Sequence, residues 1–327
     1  MRTSSAAALL TAMVLGTAAP APAHAQPPAR ASLAWVGSCF DSDRGHTPCN
    51  GWKLIAPGGR AITAKGIAVT GVDRRGRSSD EPAPLAISAD GRSIAYQRTG
   101  DHRLVVWRLP TGRRTVLPKS LLPKGGATDG IRLLLSPAGD KVVVDHHTDD
   151  GRVPTKIYTL GTGRTTELRG GDAPIGFTPD GKQLLARRVT ADNTVALVVH
   201  RPDGTILRRT PPQVVANSLV TAPAADGRTV AAVVAARPER DERPRVHLYD
   251  LRTGELADGV DLRLGRHENP FTARWEGRTL RLAVSGHDKR GVTVIREYTA
   301  DPRTGAVKQV GRYPTGKDPY EYRMAGE

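Results

Sequence analysis

From residue 84 to about residue 311 the chain alternates short apolar runs with polar, glycine-containing turns. Ser93-Ile-Ala-Tyr96, Lys141-Val-Val-Val144, Gln183-Leu-Leu-Ala186, Thr229-Val-Ala-Ala-Val-Val234 and Thr279-Leu-Arg-Leu-Ala-Val284 are too short for helices and rich in β-formers, which predicts strands buried on both faces. A turn stands before each run: Ser88-Ala-Asp90-Gly91-Arg92, Ser136-Pro-Ala-Gly139-Asp140, Thr178-Pro-Asp180-Gly181-Lys182, Ala224-Ala-Asp226-Gly227-Arg228 and the shorter Trp275-Glu276-Gly277-Arg278. Asp bonds its own backbone and Gly accepts positive φ, so each turn can join two antiparallel strands. A further strand follows, closing near a ring in Val105-Val-Trp107, Lys156-Ile-Tyr158, Leu197-Val-Val-His200, Val246-His-Leu-Tyr249 and Val294-Ile-Arg-Glu-Tyr298. Another turn glycine (Gly112, Gly163, Gly204, Gly254, Gly305) then leads to a fourth strand such as Arg114-Thr-Val-Leu117.

The glycines of the first turn, Gly91, Gly139, Gly181, Gly227 and Gly277, are 48, 42, 46 and 50 residues apart. Four short strands per repeat of about 45 residues predict an all-β chain folded as a single β-propeller of four-stranded blades. Phe177-Thr-Pro-Asp-Gly-Lys182 with Leu184-Leu185 resembles the W-S-P-D-G-K-x-I-A repeat of TolB-type propellers, and Tyr249-Asp250-Leu-Arg-Thr-Gly254 resembles WD-type and TolB-type strand endings. The resemblance implies a periplasmic protein–protein scaffold. The repeats span approximately 84–118, 131–169, 174–210, 218–260 and 270–311. Leu33-Ala-Trp-Val36, Trp52-Lys-Leu-Ile55 and Ala61-Ile-Thr-Ala64 look like strands two to four of another blade whose inner strand Tyr320-Glu-Tyr-Arg-Met324 would supply. That composite blade, 32–65 plus 312–327, gives six; five or seven are the alternatives. Residues 66–82 read as a polar loop between blades.

The N-terminus changes the picture from fold to compartment. Arg2, an apolar run from Ala6 to Ala19 and Ala23-His24-Ala25 form a signal-peptide pattern with cleavage after Ala25, leaving a propeller domain at 26–327 in a secreted, extracellular or periplasmic chain. The run is shorter than a spanning anchor requires. Cys39 and Cys49 are the two cysteines, and in an exported chain they are expected to pair as a disulfide. Of the formal charge of +15, removing residues 1–25 takes one Arg and no acid, so the mature chain keeps +14. Such a surplus suits an anionic partner.

Candidate chemistry lies where strands meet loops. Asp145-His146-His147-Thr-Asp149-Asp150 offers five potential ligands in six residues, read as a loop on the channel face. His267-Glu268 and His287-Asp288 are the other catalytic candidates, each a base beside a carboxylate. Arg187-Arg188, with Arg74-Arg75, Arg113-Arg114 and Arg208-Arg209, are candidate anion contacts, but they are scattered and the aromatics are expected between blades, which argues against nucleic acid. G-x-S-x-G, H-E-x-x-H and the P-loop pattern are absent, and no metal or cofactor is expected. The reading is therefore a monomeric, non-catalytic scaffold for an unidentified protein or anionic envelope polymer, without a transmembrane anchor. The alternative is an exported hydrolase or lyase with its site at the channel mouth.

Overall fold

The computed structural model describes residues 29–148, 151–168, 171–265 and 267–327. The signal-peptide reading falls outside them, as do Asp149 and Asp150. Among the described residues there are six four-stranded antiparallel sheets and one two-stranded sheet. Each of five sheets is a run of four consecutive strands. The second blade is Leu85–Ile87, Ser93–Gln97, Leu104–Arg108 and Arg114–Val116, and the third is Ile131–Leu135, Lys141–Thr148, Gly151–Thr159 and Thr165–Glu167. The fourth is Ala173–Phe177, Leu184–Val189, Val195–His200 and Ile206–Arg209; the fifth is Val220–Pro223, Thr229–Val234, Arg245–Asp250 and Val260–Asp261. The sixth is Pro270–Glu276, Thr279–His287, Thr293–Ala300 and Val307–Pro314.

The first blade is the composite one. Its inner strand is Pro319–Met324, followed outward by Leu33–Asp41, Gly45–Ile55 and Ala61–Thr63. Leu33 pairs with Met324 on one side and Ile55 on the other, so both ends of the described chain are fixed in one sheet.

Six apolar clusters show how the sheets are joined, because each cluster draws on two neighbouring blades. Trp52 and Leu54 pack on Ile94 and Trp107; Val106 and Leu117 on Leu133 and Val144; and Val143 on Leu184. Leu197 and Val199 pack on Val230 and Tyr249, Val233 and Val246 on Leu280 and Leu282, and Ile295 and Tyr313 on Leu33 and Trp35. The last cluster returns to the first blade and the ring closes. Alternate residues of each strand serve alternate clusters, as Val142 and Val144 against Val143 do, which is why the runs lack a polar face. Trp107, Tyr158 and Tyr249 lie buried between blades, which explains the rings at the ends of third strands.

The recurring Asp-Gly turn does more than reverse the chain. In the second blade Ser88 Oγ donates to Asp90 Oδ1 at 2.6 Å while Asp90 Oδ1 accepts from Arg92 N at 2.9 Å; Thr178 and Asp180 repeat the pattern at 2.6 and 3.1 Å. Neighbouring turns also touch. Asp90 N donates to Pro137 O at 3.1 Å, and Lys141 Nζ to Gly181 O at 2.6 Å. The motif thus couples blade to blade along one rim.

Residues 66–82 depart from the loop expectation. Thr70–Val72 and Ser78–Pro82 form a hairpin seated on the ring, with Thr128 N and Asp129 N donating to Val72 O at 2.8 and 3.1 Å, and Tyr320 Oη donating to Asp80 O at 3.1 Å. The run Asp73-Arg-Arg-Gly-Arg77 is its turn, closed by Asp73 Oδ1 accepting from Arg75 N and Arg77 N. A charged turn with two short, weakly apolar strands carries little period-2 signal.

Cys39 and Cys49 form a disulfide across the Leu33–Asp41 and Gly45–Ile55 hairpin, with Cα atoms 5.8 Å apart. Closing so short a loop stabilises by about 2.5–3 kcal/mol in the chain-entropy model. Cys39→Ser with Cys49→Ser should therefore lower the unfolding free energy by about that amount in guanidinium titrations with the far-ultraviolet spectrum retained; an unchanged midpoint would show that the bridge is dispensable.

Candidate functional site

The inner strands leave an axial cavity of 740 Å³, and a recess of 260 Å³ beside it. Arg132 and Glu327 line both, so they stand at the junction. The larger chamber has an apolar wall that includes Phe177, Leu197, Val215, Leu219, Phe271 and Trp275. Leu219 is 49% exposed at its edge. The smaller one lies beneath the hairpin strand Ser78–Pro82 and carries Glu81, Glu321 and Arg323.

Most charges around the larger chamber are already used. Asp90 bonds within its turn, Glu276 pairs with Arg281, Arg274 Nη2 lies 3.2 Å from Glu297 Oε1, and Glu327 Oε1 lies 3.1 Å from Arg323 Nη1. Arg132 and Arg187 differ: neither has an ion pair within 4.0 Å among the described residues. Arg132 donates to Pro174 O at 3.2 Å. It is exposed to the lumen yet enclosed by the ring, and that enclosure, with the nearby Arg323 charge, holds its guanidinium below its ordinary value. The result is a lumen with two cations that lack an ion-pair partner within 4.0 Å among the described residues, beside an apolar wall.

The structure scatters the other sequence candidates. Asp145 and His146 are not on a rim loop: both are buried in the strand Lys141–Thr148, at 6% and 4% exposure. Asp145 Oδ1 accepts from Thr155 Oγ1 at 2.6 Å on the side of the fourth blade, and His146, on the other face, lies by Asp129 and Arg74 beneath the hairpin. Burial lowers the His146 pKa below its usual 6.5. His147 is in the same strand. His267 is exposed, while the adjacent Glu268 is held by Arg296 at 2.8 Å and does not orient it. His287 ends the strand Thr279–His287, and Asp288 instead accepts from Arg290 N and Val292 N. Among the described residues no three His, Cys, Asp or Glu side chains gather as a metal would need.

No family model matches the chain, and no curated protein does. Among solved structures it is similar to TolB from Acinetobacter baumannii, with a TM-score of 0.51 and 18% identity over 91% of this chain and 67% of that one. The fold is a TolB-like β-propeller. The putative TolB of Agrobacterium tumefaciens also matches (TM-score 0.47, 12% identity, 88% of this chain and 90% of that one), as does the β-propeller domain of the Trilobed protease from Pyrococcus furiosus (0.48, 13%, 88% and 84%).

Within this propeller Arg188 serves the frame and Arg187 the lumen. The Arg188 guanidinium is paired with the fully buried Asp172 carboxylate, which also lies 2.8 Å from His200 Nε2. Strand alternation turns the neighbouring Arg187 to the opposite face and into the channel. A basic pair in the sequence therefore splits into a structural and an available cation. The junction at Arg132, Arg323 and Glu327 gave no sequence signal at all, since its members come from the third blade and the composite inner strand with its tail, nearly 200 residues away.

Proposed function

We propose that this chain is an exported, non-catalytic propeller scaffold that takes an acidic segment of a partner protein into its axial channel. The observation that carries the reading is the pair Arg132 and Arg187, without an ion-pair partner within 4.0 Å among the described residues, lining a 740 Å³ cavity that is also lined by apolar side chains. A carboxylate satisfies the guanidiniums in bidentate fashion and an adjacent apolar side chain fills the wall; an anionic envelope polymer would leave that wall unused. The disulfide and the basic surplus accord with export and with an anionic partner. The hydrolase or lyase reading needs His146 or His147 at the axis with acids from at least two other blades, and of these His146 is buried under the hairpin 70–82. Among the described residues no helix is long and apolar enough to cross a membrane.

Envelope extract passed over immobilised protein tests the reading. A protein partner should be retained, weakened but not abolished at high salt, and retained at least about tenfold less by Arg132→Glu with Arg187→Glu, because reversed charges repel the acidic segment. Equal retention by the double variant would sink the reading, and recovery of a polymer alone would replace protein with polymer as the ligand.

A further inference from the structure

The junction between the two chambers already displays a bound carboxylate. Glu327 Oε1 lies 3.1 Å from Arg323 Nη1, and Glu327 Oε2 accepts from Met324 N at 2.9 Å. One face of this carboxylate is held by a guanidinium and a backbone amide, and the residue lines both the 740 Å³ cavity and the 260 Å³ recess. Arg132 lines both as well and has no acid partner within 4.0 Å among the described residues. The charges of Arg132 and Arg323 disfavour one another, and Glu327 and Asp145 offset this for Arg132 only from a distance.

We propose that Arg323, the Met324 amide and Arg132 form a carboxylate-binding subsite at the centre of the channel, which Glu327 fills in the free protein and an acidic side chain of the partner takes over. This rests on the channel reading above. The exchange replaces one carboxylate by another on Arg323 and the amide, so that contact is nearly balanced, while the displaced Glu327 is free to be hydrated in the lumen. The gain comes from a ligand that brings a second carboxylate to Arg132, which Glu327 leaves unpaired. Glu321 also pairs with Arg323 and keeps that guanidinium in place when Glu327 leaves. A segment with two acidic residues in close succession is the ligand this geometry selects, and a single carboxylate gains little over the internal one.

Fluorescence anisotropy with labelled hexaglutamate on the full chain tests the subsite. Glu327→Gln keeps an oxygen to accept from Met324 N but removes the competing charge, so it should bind hexaglutamate at least threefold tighter than the wild type, with an unchanged melting curve. Adding Arg132→Gln should cancel that gain, and Arg132→Gln alone should weaken the wild type. If the wild type binds hexaglutamate and Glu327→Gln binds it no tighter, the internal-occupant proposal is wrong while the channel reading stands. If neither protein binds, the channel is not a site for acidic segments and both readings fall.

Discussion

Gly305→Ala should destabilise the propeller by about 3 kcal/mol, whereas Gly277→Ala should cost only about 1 kcal/mol, as the left-handed backbone penalty for a non-glycine residue is about 1–2 kcal/mol. The two glycines have similar backbones, at φ 70° and 60°. Their surroundings differ. A Cβ at 277 meets nothing within 4 Å, but one at 305 would overlap the carbonyl oxygen of Asp261 in the outer strand of the fifth blade. Gly305 O also accepts from Arg263 N at 2.9 Å, so the turn cannot back away without giving up that bond. Overpacking of this kind adds about 1–3 kcal/mol to the backbone cost. Guanidinium unfolding of both variants decides it: equal midpoints would mean that the turn yields freely and does not lock the fifth blade to the sixth.

A contact of the same kind at an Asp-Gly turn explains why the repeat could be read from the chain. A Cβ at Gly91 would come within 2.6 Å of Ala31 O, so this turn combines positive φ with close approach to a neighbouring blade. Two independent physical demands fall on one position, and the periodic Asp-Gly mark survives where strand sequences diverge. The strands themselves are legible because both faces are buried, and the first blade because its three short runs have the same character as the later ones. What escapes is polar burial. Asp145 and His146 read as loop residues because nothing local announces that Thr155 will donate to the carboxylate of one and the hairpin 70–82 will cover the other. The channel escapes for a related reason: Arg132, Arg187 and Glu327 meet through ring closure, a relation no local pattern encodes.

Asp172→Ala should cost about 3 kcal/mol, since removing one partner of a buried ion pair leaves the other charge uncompensated. The Asp172 side chain has no exposed surface, and it is met by Arg188 and by His200 Nε2 at 2.8 Å. Arg188 keeps 23% of its side-chain surface, which sets the loss at the low end of the range for buried pairs. The backbone of Asp172 takes part as well: its carbonyl lies 3.3 Å from Thr155 Oγ1 of the third blade, the hydroxyl that donates to Asp145, so one residue ties two blades together. Burial alone would raise the Asp172 pKa, but the bonds from His200 and Arg188 outweigh it and hold the carboxyl below its usual 3.8. A depressed carboxyl contributes its full stability above the unfolded value and loses it as pH falls through the folded one. The wild-type unfolding free energy should therefore decline as pH drops below about 3.8, and that decline should be shallower in Asp172→Ala. Pairing Asp172→Leu with Arg188→Met removes both charges together and should recover most of the loss, because a buried ion pair is readily replaced by apolar packing. A double variant no more stable than Asp172→Ala, or an acid slope identical in wild type and variant, would show that this pair does not stabilise the fourth blade.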